Sequence, residues 1–337
     1  MLQAIDADVY DVISIGITRD GAFTLASADP ADYVLTAEEL PEVEDNGTRI
    51  HWPESVATRE LWVSGDGVDR SLGAVDIVFP ILHGPFGEDG TIQGMLELLG
   101  LPYVGSGVLA SSLGIDKHFT KLVLQAAGIE VAPWRTVNRF DWGKRPQAIR
   151  AMAEQMTLPV FIKPARAGSS VGVSKVSNWD DFAVAMDVAF AEDDHVLIEA
   201  GVVGREVECA VLQGRPGEPT RASVAGEIVI TGREFYDFEA KYLDAPGIEL
   251  VCPADLTVDE LSELQRLSIR AFEAIDGAGL ARVDFFLTET GFVLNEINTM
   301  PGFTSISMFP RCWKESGLNY SDLIDELIQV ALAHRAS

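Results

Sequence analysis

The sequence has 337 residues, of which 47% are hydrophobic, so it can form two or three globular domains. Its 25 basic and 52 acidic residues give a formal net charge of −27 at pH 7. This charge argues against binding to nucleic acid or to an anionic membrane surface, although a local basic pocket could still bind a nucleotide. The three cysteines, Cys209, Cys252 and Cys312, form no CxxC pair and indicate neither a disulfide framework nor a zinc site.

The expected compartment is a reducing cytoplasm, which suits an odd number of scattered cysteines. The first twelve residues lack the basic and apolar regions of a signal peptide. No apolar run approaches the length of a membrane span, so no membrane partner is expected.

The first predicted unit, residues 1–106, combines strands and a helix. A strand is predicted over 9–17 and returns after a turn, and the apolar run 74–82 is typical of a parallel strand covered on both faces. The loop His83–Gly90 is rich in glycine and precedes a helix over 91–99. In α/β sheets, such a loop at the carboxyl end of a strand is where ligands bind.

The second unit, residues 107–198, has the pattern of a small antiparallel sheet with flanking helices. Helices are predicted over 108–127, 147–156 and 179–191, and strands over 159–164, 173–176 and 195–200.

The third unit, residues 199–337, is predicted to hold strands over 206–212 and 223–230 before the aromatic-rich loop 233–242. Thr257 and Glu260 have the spacing of a capping box at the start of a helix that runs to about residue 277. A β-hairpin over 281–302 follows, and a final helix covers 321–333.

The hairpin carries an unusual set of polar side chains. Period-two alternation places Arg282 and Asp284 on one face of its first strand. A three-residue loop over 289–291 would place Asp284 opposite Glu296 and Arg282 opposite Asn298, with Phe292 and Leu294 on the same face as Glu296.

Two carboxylates and an amide oxygen on one patch of sheet favour a hard divalent cation. Mg²⁺ or Mn²⁺ suits such ligands, usually with substrate phosphates completing the coordination shell. The alternative is a solvated polar face on an edge hairpin.

Positive side chains flank a second glycine-rich loop, residues 165–172. Its backbone N–H groups can fold over phosphates, and the Ser169 hydroxyl can hydrogen-bond a reacting group. Lys163 lies just before this loop, and Lys117 and Lys241 are further candidates for phosphate contacts. A plain hairpin turn with solvated lysines is the alternative.

Three further side chains are candidates for ligand contacts. Glu199 and Glu206 flank a turn and could accept hydrogen bonds from ribose hydroxyls, or could simply face solvent. His83 could be a base or a substrate contact, or a structural loop histidine. The sequence contains neither a Walker A pattern nor a GxGxxG dinucleotide fingerprint, so a bound nucleotide would lie between antiparallel sheets.

Three long stretches together resemble the D-alanine–D-alanine ligases of the ATP-grasp superfamily. They are HGPFGEDGTIQG at 83–94, FIKPARAGSSVGVSKV at 161–176 and GLARVDFFLTETGFVLNEINTMPGFTSIS at 279–307; GSGVLASSLGIDKHFTK and FYDFEAKY agree as well. The resemblance implies a mixed α/β fold, partly α+β. An N-terminal parallel α/β domain (1–106) would precede two α+β domains (107–198 and 199–337) that sandwich ATP.

The resemblance also implies the chemistry. The γ-phosphoryl group of ATP passes to the carboxylate of a first D-alanine, and the amine of a second D-alanine attacks the acylphosphate. The residues that would hold ATP are Lys117, Lys163, Glu199, Val202, Glu206, Phe235 and Lys241. Those that would bind two Mg²⁺ or Mn²⁺ ions are Asp284, Glu296 and Asn298.

The remaining implied roles concern the amino acids. Arg282 and the Gly302 N–H would stabilise the oxyanion, Ser307 would take the carboxylate of the second D-alanine, and His83 would contact substrate. Tyr242 would reach Ser169 and close the loop 233–245 over the site; its presence favours D-alanine as the second substrate. The family usually forms homodimers through the N-terminal domain.

The sequence departs from the family at its start. Family members begin with a strand and a glycine-rich loop that carries a glutamate and a serine, whereas residues 1–6 resemble the end of the following helix. Either the start codon is placed too far downstream, which the intact downstream motifs favour, or the chain is an inactive paralog. The alternative functions are a non-catalytic nucleotide-binding protein and an ATP-grasp ligase for another carboxylate and amine. Smaller departures are Ala167, where an acidic residue is common, and Met300, where a small one is.

Overall fold

A computed structural model describes residues 1–27, 29, 42–168, 170–230 and 247–335. The strands are β1 (Ile15–Ile17), β2 (Phe23–Leu25), β3 (Arg49–His51), β4 (Glu60–Gly65), β5 (Val68–Ala74), β6 (Trp134–Asn138), β7 (Val160–Pro164), β8 (Ser174–Val176), β9 (His195–Ala200), β10 (Arg205–Leu212), β11 (Arg221–Ile230), β12 (Ile248–Val251), β13 (Leu280–Thr288) and β14 (Gly291–Asn298). The helices are α1 (Thr91–Leu98), α2 (Val108–Ile115), α3 (Lys117–Ala126), α4 (Arg139–Lys144), α5 (Pro146–Ala153), α6 (Phe182–Glu192), α7 (Val258–Ala274), α8 (Met308–Glu315) and α9 (Tyr320–Arg335). The predicted mixed α/β class is confirmed.

The amino-terminal part is less regular than the sequence predicts. The pair β1–β2 is antiparallel, and the strand predicted over 9–17 is reduced to β1. The strands β3, β4 and β5 form an antiparallel sheet in a stretch for which no strand was predicted.

The apolar run 74–82 was wrongly predicted to be a regular parallel strand. It makes one parallel bridge, in which the N–H of Val78 donates to the Pro102 carbonyl at 2.8 Å and Val104 donates back to Val78 at 2.9 Å. Elsewhere its side chains pack against helices: Ile77, Phe79 and Ile81 contact the apolar cluster around α8 and α9. Apolar patterning predicted the burial of this segment but not its hydrogen bonding.

The central sheet has the strand order β6–β9–β7–β8, and all its pairings are antiparallel. Alternate side chains of β7 and β9, including Ile162 and Ile198, pack with Phe182 and Met186 of α6 on one face. The opposite face presents Lys163 and Glu199 towards α3. Period-two alternation therefore separates a hydrophobic face from a charged face.

The carboxyl-terminal sheet has the order β12–β11–β10–β13–β14 and is also antiparallel. Val283 and Phe285 of β13 pack with Leu264 and Phe272 of α7 on one face. On the other face, one end of the sheet packs against α8 and α9 through residues such as Leu280. The charged residues of β13 lie on this second face, beyond the helices.

One predicted helix is divided in two for a clear physical reason. The helix predicted over 108–127 is divided into α2 and α3, because Asp116 is extended and its carboxylate accepts the N–H groups of His118 and Phe119 as the α3 N-cap. The short helix α8 was not predicted.

Replacing Thr257 by alanine should destabilise the chain by about 1 kcal/mol, because it removes the N-cap of α7. The Thr257 hydroxyl accepts from the Glu260 N–H at 3.2 Å, and the Glu260 carboxylate accepts from the Thr257 N–H at 2.8 Å, as the predicted capping box requires. Urea unfolding would measure the loss. Ser262→Ala, in the exposed first turns of the same helix, should change stability by less than about 0.5 kcal/mol; equal effects would contradict the capping role.

Candidate active site

The β13–β14 hairpin has the predicted register at its polar end. Asp284 lies opposite Glu296 and Arg282 opposite Asn298. The predicted three-residue loop is wrong, because Gly291 belongs to β14 and pairs with Thr288 across a two-residue turn. The register shifts by one residue between Asp284 and Phe285, which leaves Asn295 as a bulge and restores the predicted pairing.

The bulge also corrects the predicted face of β14. Phe292, Leu294 and Ile297 all pack in the apolar cluster beneath α7. Glu296 and Asn298 lie beyond the bulge, opposite Asp284 and Arg282, so they do not share the face of Phe292 and Leu294 as predicted. A regular strand could not place Leu294 and Ile297 on one face, since they are three residues apart.

Carboxylates from three neighbouring strands form a row at this end of the sheet. Asp284 of β13 is paired with Glu296 of β14 on one side and with Glu208 of β10 on the other. Glu208 and Asp284 are buried. Like charges directly opposite one another destabilise a sheet unless a cation lies among them.

Arg282 supplies one such cation. Its Nε and Nη2 atoms donate to the two oxygens of Asp284, each at 2.7 Å, and its Nε lies 3.4 Å from Glu208 Oε2. Burial acts against the guanidinium charge, but Asp284 and Glu208 outweigh it and hold the pKa of Arg282 above its usual value. One arginine among three carboxylates leaves the row acidic.

Glu88, from the glycine-rich loop His83–Gly90, faces the same region. Burial raises the pKa of Glu88 to about 7, and the nearby Glu296 carboxylate adds to the rise, while the Gly84 N–H, Arg282 and Lys117 oppose it. Burial thus favours the protonated form of Glu88 over the carboxylate.

The central sheet contributes a cluster of lysines. Lys163 of β7 donates to Glu199 Oε1 at 2.7 Å, and the Lys121 ammonium of α3 lies 2.8 Å from Glu199 Oε2. Burial opposes the charge on Glu199, but Lys163 and Lys121 outweigh it and lower the pKa of this carboxyl to about 2. Burial lowers the pKa of Lys121, and Glu199 opposes that change.

The two sheets direct opposite charges towards each other. Leu124 of α3 packs with Leu294 and Ile297 of β14, which places the helix of the lysines against a strand of the acidic row. Burial lowers the pKa of Lys121, and the Glu296 carboxylate is among the charges that oppose this change. Lys117, at the start of α3, donates to the Ala167 carbonyl at 2.6 Å and thereby contacts the predicted phosphate loop.

A turn after the hairpin brings together three of the predicted substrate residues. His83 Nδ1 lies 3.1 Å from the Met300 carbonyl oxygen. A Cβ built on Gly302 would lie 3.2 Å from the Ser307 hydroxyl, and Ser307 is the N-cap residue of α8. The Ser307 hydroxyl accepts from the Thr304 N–H at 3.2 Å, which orients it within the turn.

Four predicted site residues, Ser169, Phe235, Lys241 and Tyr242, lie outside the described residues. Val202 is half-buried in the turn between β9 and β10, and Glu206 is half-buried on β10, opposite Phe286.

Comparisons with known proteins match this chain over nearly its whole length. The model of the D-ala D-ala ligase N-terminus matches residues 1–106, and that of the D-ala D-ala ligase C-terminus matches residues 123–329. A D-alanine–D-alanine ligase of Arthrobacter sp. (strain FB24) is 50% identical over 336 residues, which cover 98% of this chain and 88% of that protein. The chain belongs to the D-alanine–D-alanine ligase family.

Further similar proteins extend the comparison. A D-alanine–D-alanine ligase of Mycobacterium sp. (strain KMS) is 49% identical, with 99% of this chain and 90% of that protein covered. The solved VanG D-Ala:D-Ser ligase from Enterococcus faecalis has a TM-score of 0.80 at 32% identity, over 98% of this chain and 92% of that chain. The D-alanine–D-alanine ligase from Coxiella burnetii has a TM-score of 0.79 at 33% identity, over 99% of this chain and 88% of that chain.

The donors at the polar end of the hairpin fit a divalent cation of the Mg²⁺ type. They are oxygens only: the carboxylates of Asp284 and Glu296 and the amide oxygen of Asn298, whose Nδ2 donates to Asp284 at 3.0 Å. Among the described residues, no group of three or more His, Cys, Asp or Glu side chains is placed to hold a metal ion by itself. Mg²⁺ usually takes one or two protein carboxylates and completes its shell with water and substrate phosphates, so the set is sufficient.

Sequence reasoning assigned no role to three residues of this site: Lys121, Glu208 and Glu88. Lys121 is one helical turn after Lys117 and shares a face with Leu124. A lysine on the apolar face of a helix could have indicated a buried charge. Glu208 is two residues after Glu206, so the two side chains lie on the same face of a strand that is otherwise mostly apolar. Glu88 lies inside the first signature stretch.

Proposed function

We propose that this chain is an ATP-dependent ligase that joins two D-alanines into D-alanyl-D-alanine for peptidoglycan precursors, releasing ADP and phosphate. The observation that carries the proposal is the approach of two charged groups from different sheets. The helix α3, which carries Lys121, packs through Leu124 against β14, which carries Glu296, so the lysine cluster and the acidic row lie on neighbouring elements. Positioning and charge neutralisation are what phosphoryl transfer chiefly requires.

ATP is the nucleotide substrate of this family, and we assign its contacts on this chain. Lys163 and Lys117 carry the charges that would neutralise its phosphates, and Lys241 is assigned the same role by the family resemblance. Glu199, which the sequence predicts to hold ATP, is buried with its two oxygens on Lys121 and Lys163, so we assign it to the lysines and not to the ribose. Val202, Glu206 and Phe235 would contact the rest of the nucleotide. Asp284, Glu296 and Asn298 would hold two Mg²⁺ or Mn²⁺ ions, which supply charge neutralisation at the phosphates.

The reaction would proceed in two steps. First, a carboxylate oxygen of one D-alanine attacks the γ-phosphorus, the bond to the β,γ-bridging oxygen breaks, and ADP leaves. The amine of the second D-alanine then attacks the acylphosphate carbon, and the tetrahedral intermediate expels phosphate while the amine loses a proton. Arg282 and the Gly302 N–H would stabilise the oxyanion.

The amino acid contacts complete the assignment. Ser307 would take the carboxylate of the second D-alanine, and His83 would contact substrate from the glycine-rich loop. Tyr242 would reach Ser169 and exclude water from the acylphosphate, which would otherwise hydrolyse.

The organisation of the molecule is proposed on the same basis. The three units 1–106, 107–198 and 199–337 would be the family's domains, and the chain would form a homodimer in the cytoplasm. No helix among the described residues has the length and apolar character needed to cross a membrane.

We expect the purified chain to release phosphate from ATP only when Mg²⁺ and D-alanine are both present, with one dipeptide formed per phosphate. Coupled phosphate detection and mass spectrometry of the product would measure this stoichiometry. D-Serine serves as a competing second substrate, because the similar solved structure from Enterococcus faecalis is that of a D-Ala:D-Ser ligase. A chain that binds ATP but releases no phosphate would contradict the proposal. Phosphate release only with other amino acids would show that the substrate is not D-alanine.

A further inference from the structure

Lys121 is a charged residue in a place where charge is costly. Its side chain is 2% exposed on α3, and the partner at 2.8 Å, Glu199, is 4% exposed. The ammonium also lies 5.9 Å from the centroid of the Trp134 ring. A buried ammonium needs a carboxylate partner, and here that carboxylate is shared with a second lysine.

The sharing sets the charge that Lys163 presents. Lys121 engages Oε2 of Glu199 and Lys163 engages Oε1, so the group of three side chains has a net charge of +1 when all are ionised. Lys163 is the more accessible of the two lysines, with 15% of its side chain exposed. Without Lys121, Glu199 would neutralise Lys163, and the group would attract a phosphate much less.

We propose that Lys121 is a positioning residue of the nucleotide site, which holds Glu199 and keeps the Lys163 ammonium available to an anionic phosphate. This inference rests on the proposed function only in that the site binds a nucleotide. The Lys121 side chain is less exposed than that of Lys163, so Lys163 is the lysine that we assign to the phosphate. Its effect passes through the carboxylate that both lysines share.

The test compares charge-altered variants in nucleotide binding. Lys121→Met keeps an unbranched apolar stem but lowers the net charge of the group from +1 to 0, and we expect the Kd for Mg²⁺–ADP to rise at least about tenfold. The double variant Lys121→Met with Glu199→Gln returns the group to +1 and should recover most of that loss. Lys144→Met, an exposed lysine on α4, removes one charge elsewhere and should leave Kd within twofold of the original.

Two readouts separate this role from simple packing. Isothermal calorimetry with Mg²⁺–ADP needs no D-alanine, so it remains informative if the ligase reaction is not observed. In steady-state assays, the KM for ATP should rise while the KM for D-alanine stays within twofold. Wild-type affinity in Lys121→Met, or a double variant that binds as weakly as the single one, would overturn the proposal; an unmodified chain that binds no nucleotide would overturn both this inference and the proposed function.

Discussion

Replacing Glu296 by glutamine is expected to lower kcat by at least about a thousandfold, the scale at which one essential electrostatic contact is removed from a transition state. Glu296 lies opposite Asp284 in the acidic row, and these two carboxylates are the ones assigned to the divalent cation. Glutamine keeps the length of the side chain but removes the charge that would neutralise the metal bound to the phosphates. Phosphate release at saturating ATP, Mg²⁺ and D-alanine would measure kcat.

The matched control for this variant is Glu289→Gln. Glu289 is exposed in the turn of the same hairpin, so its replacement removes an equal charge far from the acidic row. We expect normal kcat in the control and an unchanged or slightly higher melting temperature in Glu296→Gln without metal, because repulsion with Asp284 is relieved. Normal turnover in Glu296→Gln would refute its assignment as a metal ligand.

The hairpin shows how a correct pairing can come from an incorrect turn. The alternation of Arg282 and Asp284 with apolar residues correctly predicted their common face. The predicted three-residue loop and the observed two-residue turn differ by one residue, and the bulge at Asn295 supplies that residue further along the strand. The sequence shows how many residues separate Asp284 from Glu296, but the position of a bulge depends on packing against α7.

The buried charges were harder to predict because charged residues are usually at the surface. Lys121 and Glu208 follow the periods of a helix and a strand, yet each was attributed no role. Their burial depends on partners that are distant in sequence: Glu199 is 78 residues after Lys121 by numbering, and Arg282 is 74 after Glu208. Local pattern gives the face on which a charge lies, whereas only the tertiary fold gives its counter-charge.

The apolar run 74–82 shows that apolar patterning predicts burial but does not predict a strand. A continuous run of apolar residues indicates burial, but a strand also requires a neighbour for its backbone groups. Among the described residues, Val78 finds that neighbour only around Tyr103. The comparisons confirm the family that the long signature stretches resemble, whereas the roles of the residues within them stay predictions.

Arg282→Met is expected to destabilise the chain by about 3–5 kcal/mol, because it leaves buried carboxylates without their cation. Asp284 and Glu208 are 7% and 4% exposed, and Arg282 contacts both. Loss of the guanidinium should also remove measurable ligase activity, since the same group is assigned to the oxyanion. Chemical denaturation in metal-free buffer would measure the first effect and phosphate release the second.

Two comparisons show whether Arg282→Met destabilises the chain through lost electrostatic contacts or through lost packing. Arg266→Met breaks the exposed pair with Glu263 on α7 and should cost less than about 1 kcal/mol. Added Mg²⁺ should stabilise Arg282→Met more than the unmodified chain, because a divalent cation can replace the missing charge in the acidic row, whereas it cannot fill the space left by a side chain. Equal Mg²⁺ effects in both proteins would show that Arg282 acts through packing. A larger effect in the variant would show that arginine and metal stabilise the same carboxylates.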